Sequence, residues 1–183
     1  SGPERAGWAF VVVSNGDGLD DVDAVEVARG YGPVVTDEFD PRFIGAPRLT
    51  NNTGELAAII ELLQWLERQL SRCTSRPPSI IIRPDSTYAR DCATGRSRGG
   101  CNSEMAEHAR RLWSSVSDLL SGNLRHRHVR GHSGHVWNTC VDALASRGAT
   151  GEVGPQGGTW ARPPTSPPLF AGVLAGLPVA PAS

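Results

Sequence analysis

The sequence predicts an α/β fold, on three observations. Short apolar, β-branched runs alternate with amphipathic stretches of helical period along residues 1–150. The resulting order (strands, helix, strand, helix, helix, strand, helix) calls for a sheet with parallel crossovers, not a sandwich or a bundle. The chain has 183 residues, 39% hydrophobic and 20% charged, enough for one domain with its own core and a tail. That composition excludes collagen, coiled coil and wholesale disorder.

The elements follow in order. Residues 6–14 (AGWAFVVVS) are apolar and β-branched, a strand. Residues 15–23, rich in Gly and Asp, form a turn. Residues 24–28 and 31–36 read as extended segments, with Gly30 and Gly32 marking a bend or bulge. Residues 55–70 give the best helix, with Leu56, Ile59, Ile60, Leu63, Leu66 and Leu70 in one stripe; Asn52 is its expected N-cap, with Glu55 completing a capping-box-like start. Residues 79–83 (SIIIR) form a short buried strand halted by Pro84, and a short helix follows Asp85. Asn102 caps a second long helix over 103–120, residues 124–130 alternate as a strand, and 138–146 form the last helix. Trp8, Trp65 and Trp113 are assigned to the core, with Trp137 half exposed.

The net charge of −1 hides an asymmetry. Residues 1–67 carry twelve acids and four arginines, whereas 68–150 carry thirteen arginines and six acids, and there is no lysine. A basic half suits phosphate contacts, which arginine forks make well, although a solvated face is the plainer reading. Residues 151–183 hold seven of the fourteen prolines and six glycines. Such a segment buries too little to offset its ordering entropy, so 1–150 is taken as the domain and 151–183 as a flexible tail or linker. No apolar run is long enough for a membrane helix. The four cysteines lack C-x-x-C spacing, which argues against a zinc ribbon or disulfide framework and for an intracellular compartment.

Three acids stand at strand-to-helix junctions, where sheets of this class place chemistry: Glu55, Asp85 and Asp142. Each has a structural excuse, as a helix cap or a partner of the helix dipole. The words around them shift the balance. Thr50-Asn51-Asn52-Thr53-Gly54-Glu55-Leu56, then Asp85-Ser86-Thr87-Tyr88, then Gly131-His132-Ser133-Gly134-His135 with Asn138 and Asp142 resemble three consecutive motifs of type 1 ribonuclease H, in order, spacing and expected position. The likeness spans roughly residues 6–150, and Gly7-Trp8-Ala9-Phe10 also resembles the family's second strand.

The resemblance implies a five-stranded mixed sheet, three antiparallel strands continuing into two parallel ones, flanked by helices. It implies hydrolysis of the RNA strand of RNA·DNA hybrids with two divalent ions, Mg2+ or Mn2+ in its place. Such ions neutralise clustered carboxylates and, about 4 Å apart, activate water and stabilise a leaving oxygen. Glu55, Asp85 and Asp142 would be the metal ligands and, with His132 assisting proton transfer or product departure, the catalytic set. Asn51, Asn52 and Thr87 match positions that touch the minor groove, Thr50 one near a DNA phosphate, and Asn102 is a weaker substrate-binding match. Arg90, Arg96, Arg98, Arg110 and Arg111 would supply the salt-sensitive phosphate contacts. Zinc is a minor alternative for His126, His128, His132, His135 and Cys140, since the loop histidines belong to the third motif.

The sequence departs from the family at its start. The family's first acid stands on a first strand that would precede residue 6, and both are absent. Truncation, consistent with the Ser1 start and with descent from a retroelement-like polyprotein, is the simplest account. A rival register makes residues 10–14 the first strand and Asp17 the missing acid. Two other functions compete: a degenerate, non-catalytic nucleic-acid-binding or scaffold domain, and another nuclease or transposase of the same superfamily.

Overall fold

The computed structural model describes residues 4–14, 24–129 and 135–154. Strands β1 (Gly7–Ser14) and β2 (Val25–Pro33) form an antiparallel pair; helix α1 (Asn51–Arg72) follows. Strand β3 (Ile80–Ile82) leads into helix α2 (Thr87–Ala93), a short 3-10 turn (Gly100–Asn102) and helix α3 (Ser103–Leu119). Strand β4 (Leu124–His126) pairs with β3 in parallel, and helix α4 (Val136–Ala149) closes the order. The α/β class and element order are those the sequence predicts. The sheet differs: among the described residues there are four strands in two separate pairs, β1–β2 and β3–β4, instead of one sheet of five.

The hydrogen bonds show which edges are open. Val34 N–H donates to Ala6 O (2.8 Å), so along this register the bonded pairs include Trp8 with Gly32 and Phe10 with Gly30. Gly7, Ala9 and Val11 therefore turn their backbone polar groups away from β2. In the other pair Ile80 N–H donates to Asn123 O (3.2 Å) and Arg127 N–H to Ile82 O (2.9 Å). Ile81 thus points its amide and carbonyl away from β4. Its side chain is 47% exposed, unusual for the centre of an all-isoleucine strand.

Local expectations needed correction at several ends. The two extended segments expected around Gly30 are one strand, and the bulge falls between Val12 and Val13, not at the glycines. Gly32 is glycine for another reason: a Cβ there would lie 3.1 Å from the Trp8 ring. Helix α1 is capped by Thr50, not Asn52. The Thr50 hydroxyl accepts from Thr53 N–H (3.2 Å) and the Thr53 hydroxyl accepts from Thr50 N–H (2.8 Å), a reciprocal box. Pairing also runs past Pro84, whose carbonyl accepts from Val129 N–H (3.1 Å). The proline removes one donor without ending the ladder.

The core sits where α1 and α3 cover the sheets. The predicted stripe of α1 is buried throughout, and Trp65 joins it. Phe10 links β1 to α1, stacked on Trp8 at 6.2 Å and tilted against Trp65 at 6.0 Å. Ile82 and Leu124 bring β3 and β4 into the same cluster. Trp113 is half-buried, edge-on to His126. Helix α4 covers the opposite face of β1 and β2, and glycines permit its approach. A Cβ at Gly7 would collide with the backbone at Ala145 and Ala149, and one at Gly148 with Gly32. The body continues past Thr150: Glu152 pairs with Arg147 (2.7 Å) and Gly154 N–H donates to Tyr31 O (2.8 Å). Residues 155–183, the bulk of the expected tail, lie outside the described residues. No helix among the described residues is long and apolar enough to cross a membrane.

Candidate active site

Glu55 lies in the second turn of α1, half-buried. Capping is done by Thr50 and Thr53, and no acid occupies the helix's first turn, so the structural excuse offered by the sequence does not hold. The neighbouring Gly54 abuts β1: a Cβ there would lie 2.7 Å from Gly7 O. Gly7 is also the residue over which α4 crosses. The elements carrying Glu55 and Asp142 therefore converge on the start of β1 from opposite faces.

Asp142 is half-buried on α4, and the Asn138 side-chain amide donates to its Oδ2 from one turn earlier (3.4 Å). Asp85 is exposed, between Pro84 and α2. It does not cap that helix: Ser86 does, its hydroxyl accepting from Ala89 N–H (3.1 Å). Glu55 and Asp85 make no side-chain hydrogen bond or ion pair among the described residues. The three carboxylates are the hard oxygen donors that suit Mg2+ or Mn2+. Among the described residues, however, no three His, Cys, Asp or Glu side chains are grouped closely enough to hold a metal ion. Asp85 belongs to the β3–β4 pair, and among the described residues no strand pairing ties that unit to β1.

His132 and the rival acid Asp17 lie outside the described residues, as do the other residues of 130–134. Asn51, Asn52 and Thr87 are exposed on the first turns of α1 and α2. The Thr50 hydroxyl is engaged in the cap.

The cap expected of Asn102 is corrected. It precedes α3 but makes no capping bond with its side chain. It is 2% exposed, and its amide donates to the Tyr88 hydroxyl (2.9 Å), which in turn donates to Gly99 O (2.9 Å). A buried amide so engaged has its hydrogen-bonding need met within the fold. Sequence reasoning missed this pair, although Tyr88 stands in the second motif. A second unforeseen contact joins Arg48 to the exposed Cys101 (Nη2 to Sγ, 3.0 Å), which raises the Arg48 pKa.

Comparison with known proteins agrees with the motifs. The RNase H family model matches residues 22–150. A ribonuclease H of Legionella pneumophila (strain Lens) is 37% identical over 112 residues, covering 57% of this chain and 72% of the relative. One of Alkalilimnicola ehrlichii is 36% identical over 111 residues, 57% of this chain and 70% of the relative. One of Neisseria meningitidis is 34% identical over 114 residues, 58% of this chain and 73% of the relative. With its elements in the expected order and the family model matched from β2 to the end of α4, the chain belongs to the ribonuclease H family.

Proposed function

We propose that this domain hydrolyses the RNA strand of RNA·DNA hybrids, with Glu55, Asp85 and Asp142 holding two Mg2+ ions, or Mn2+ in their place. The observation that carries this reading is that neither Glu55 nor Asp85 serves the fold, because Thr50 and Ser86 do the capping beside them. When bound, the ions would activate a water and stabilise the leaving oxygen of an in-line displacement. The remaining roles fall to the protein. Asn138 orients the Asp142 carboxylate. His132 takes up or delivers a proton as product departs. Asn51, Asn52 and Thr87 are exposed, as side chains reading 2′-hydroxyls in a wide minor groove must be.

The fourth carboxylate arrives on a fifth strand lying between β1 and β3. Gly7, Ala9 and Val11 on one side and Ile81 on the other turn outward backbone groups that have no strand partner among the described residues, and a single extended segment satisfies both edges. That strand draws Asp85 toward Glu55 and Asp142. Linkage within a larger polyprotein, such as a retroelement's, would supply it. The test is Asp85→Asn in the full-length protein: Mg2+-dependent cleavage of a labelled hybrid is lost, while the melting temperature stays put, since Asp85 is exposed. Undiminished cleavage overturns the role of Asp85.

A second reading, a non-catalytic hybrid-binding domain, is favoured by one observation: the described residues group no three metal-ligating side chains. It expects the unaltered full-length protein to bind hybrid without cutting it.

A further inference from the structure

Between α2 and α3 the chain makes a short loop, residues 94–102 (TGRSRGGCN), that is fastened at both ends and in the middle. Thr94 N–H and its hydroxyl both donate to Arg90 O (2.9 Å each). Ser97 N–H donates to Asp91 O (2.9 Å), and the Arg110 guanidinium donates to Ser97 O (3.2 Å). Gly99 N–H donates to the Ser97 hydroxyl (3.2 Å). Gly99 is left-handed at φ 83°, and a Cβ there would lie 2.7 Å from the Ala106 Cβ, so α3 fixes its approach. The Tyr88 hydroxyl is the central clasp. It donates to Gly99 O, accepts from Asn102, and is shielded enough that burial raises its pKa.

Between these fixed points stand Arg96 and Arg98. Both are exposed and neither has a side-chain partner among the described residues. Other arginines near the loop are occupied: Arg90 pairs with Asp91 (2.8 Å) and Arg110 with Ser97. Unpaired guanidinium groups on a held loop lose little further freedom on meeting an anion, whereas the same groups on a slack loop must be ordered first.

Resting on the hybrid reading above, we propose that Tyr88 is a positioning residue. Its hydroxyl holds the loop so that Arg96 and Arg98 project as a preorganised contact for two backbone phosphates of the bound duplex. The arginines carry the electrostatics and Tyr88 acts only through them.

The test is hybrid binding by the full chain without divalent cations, followed by fluorescence anisotropy across a salt series. The double variant R96A/R98A raises Kd about tenfold or more and flattens the slope of log K against log salt by about 1.5 to 2. Y88F retains both arginines, yet weakens binding and flattens the slope partway. Added to R96A/R98A it costs no further affinity, which a merely structural loss of stability would not produce. If Y88F does not fold, S97A, which removes the hydroxyl holding Gly99, takes its place in the same cycle. An unchanged salt slope in R96A/R98A, or full additivity of Y88F with it, overturns the proposal. The two readings fail separately: loss of salt dependence in a protein that never cleaves leaves this one standing, and normal cleavage with unaltered binding in R96A/R98A removes it alone.

Discussion

Thr50 and Thr53 do for α1 what the sequence assigned to Asn52, and the difference sets what each substitution does. Thr50→Ala leaves the Thr53 amide without its acceptor and lowers stability by about 1 kcal/mol in urea unfolding; an unchanged midpoint would contradict the cap. His108 gives the pH dependence. Burial first, and Arg111 second, push its pKa below the usual 6.5, against the opposing pull of the Ile44 backbone, Glu104 and Glu67. The unfolded chain therefore takes up the proton before the folded one, and stability falls as pH drops from about 7 through 6.5 and below. His126, lowered by burial and by Arg96 and Arg90, adds in the same direction. Asp40 acts lower still, its carboxyl held at about 2 by hydrogen bonds from Arg42. Melting followed from pH 7.5 to 5 is expected to decline, with a shallower decline in His108→Gln; parallel curves would contradict this. At this scale the sequence marks Glu55, Asp85 and Asp142 only through the three words that carry them. The work of Asn102 was not legible, because Tyr88 comes into range only once α2 and α3 are packed.

Helix α4 shows how an element is placed by what it lacks. Gly7 and Gly148 let it lie on the backbone of β1 and β2, and Arg147 then spans the Tyr31 ring at 4.9 Å. Gly148→Ala would drive a methyl into Gly32 and destabilise the domain by about 1–3 kcal/mol, read by thermal unfolding. A neutral result would mean that the helix sits further out. The apolar stripe of α1 could be read directly, since period and burial coincide there. Glycines in a strand could not: the same residue marks a bend in one chain and a seat for a tryptophan in another, and only the Trp8 ring over Gly32 decides. Helix starts shifted for a related reason, since Thr, Asn and Ser compete for a cap and the winner depends on the turn before it.

At the scale of the molecule, two half-sheets share one core but no hydrogen-bond ladder among the described residues. Helix α1 and the Phe10, Ile82 and Leu124 side chains bind them together through apolar contact, while the edges at Ala9 and Ile81 have no strand partner among the described residues. The element order was legible because each crossover needs its helix, and the family because three motifs keep their order and spacing. The separation into two pairs among the described residues was not legible, because strand pairing joins segments far apart in the sequence. The site inherits that division, with Glu55 and Asp142 on the β1 side and Asp85 on the other. Whether one cation site unites them is read by a Mn2+ titration of the full-length protein followed by NMR, with paramagnetic broadening measured residue by residue. The amide signals of Glu55, Asp85 and Asp142 are expected to broaden together at the same low Mn2+ concentration; broadening at one of them alone, or scattered over the surface acids, would contradict a shared cation site.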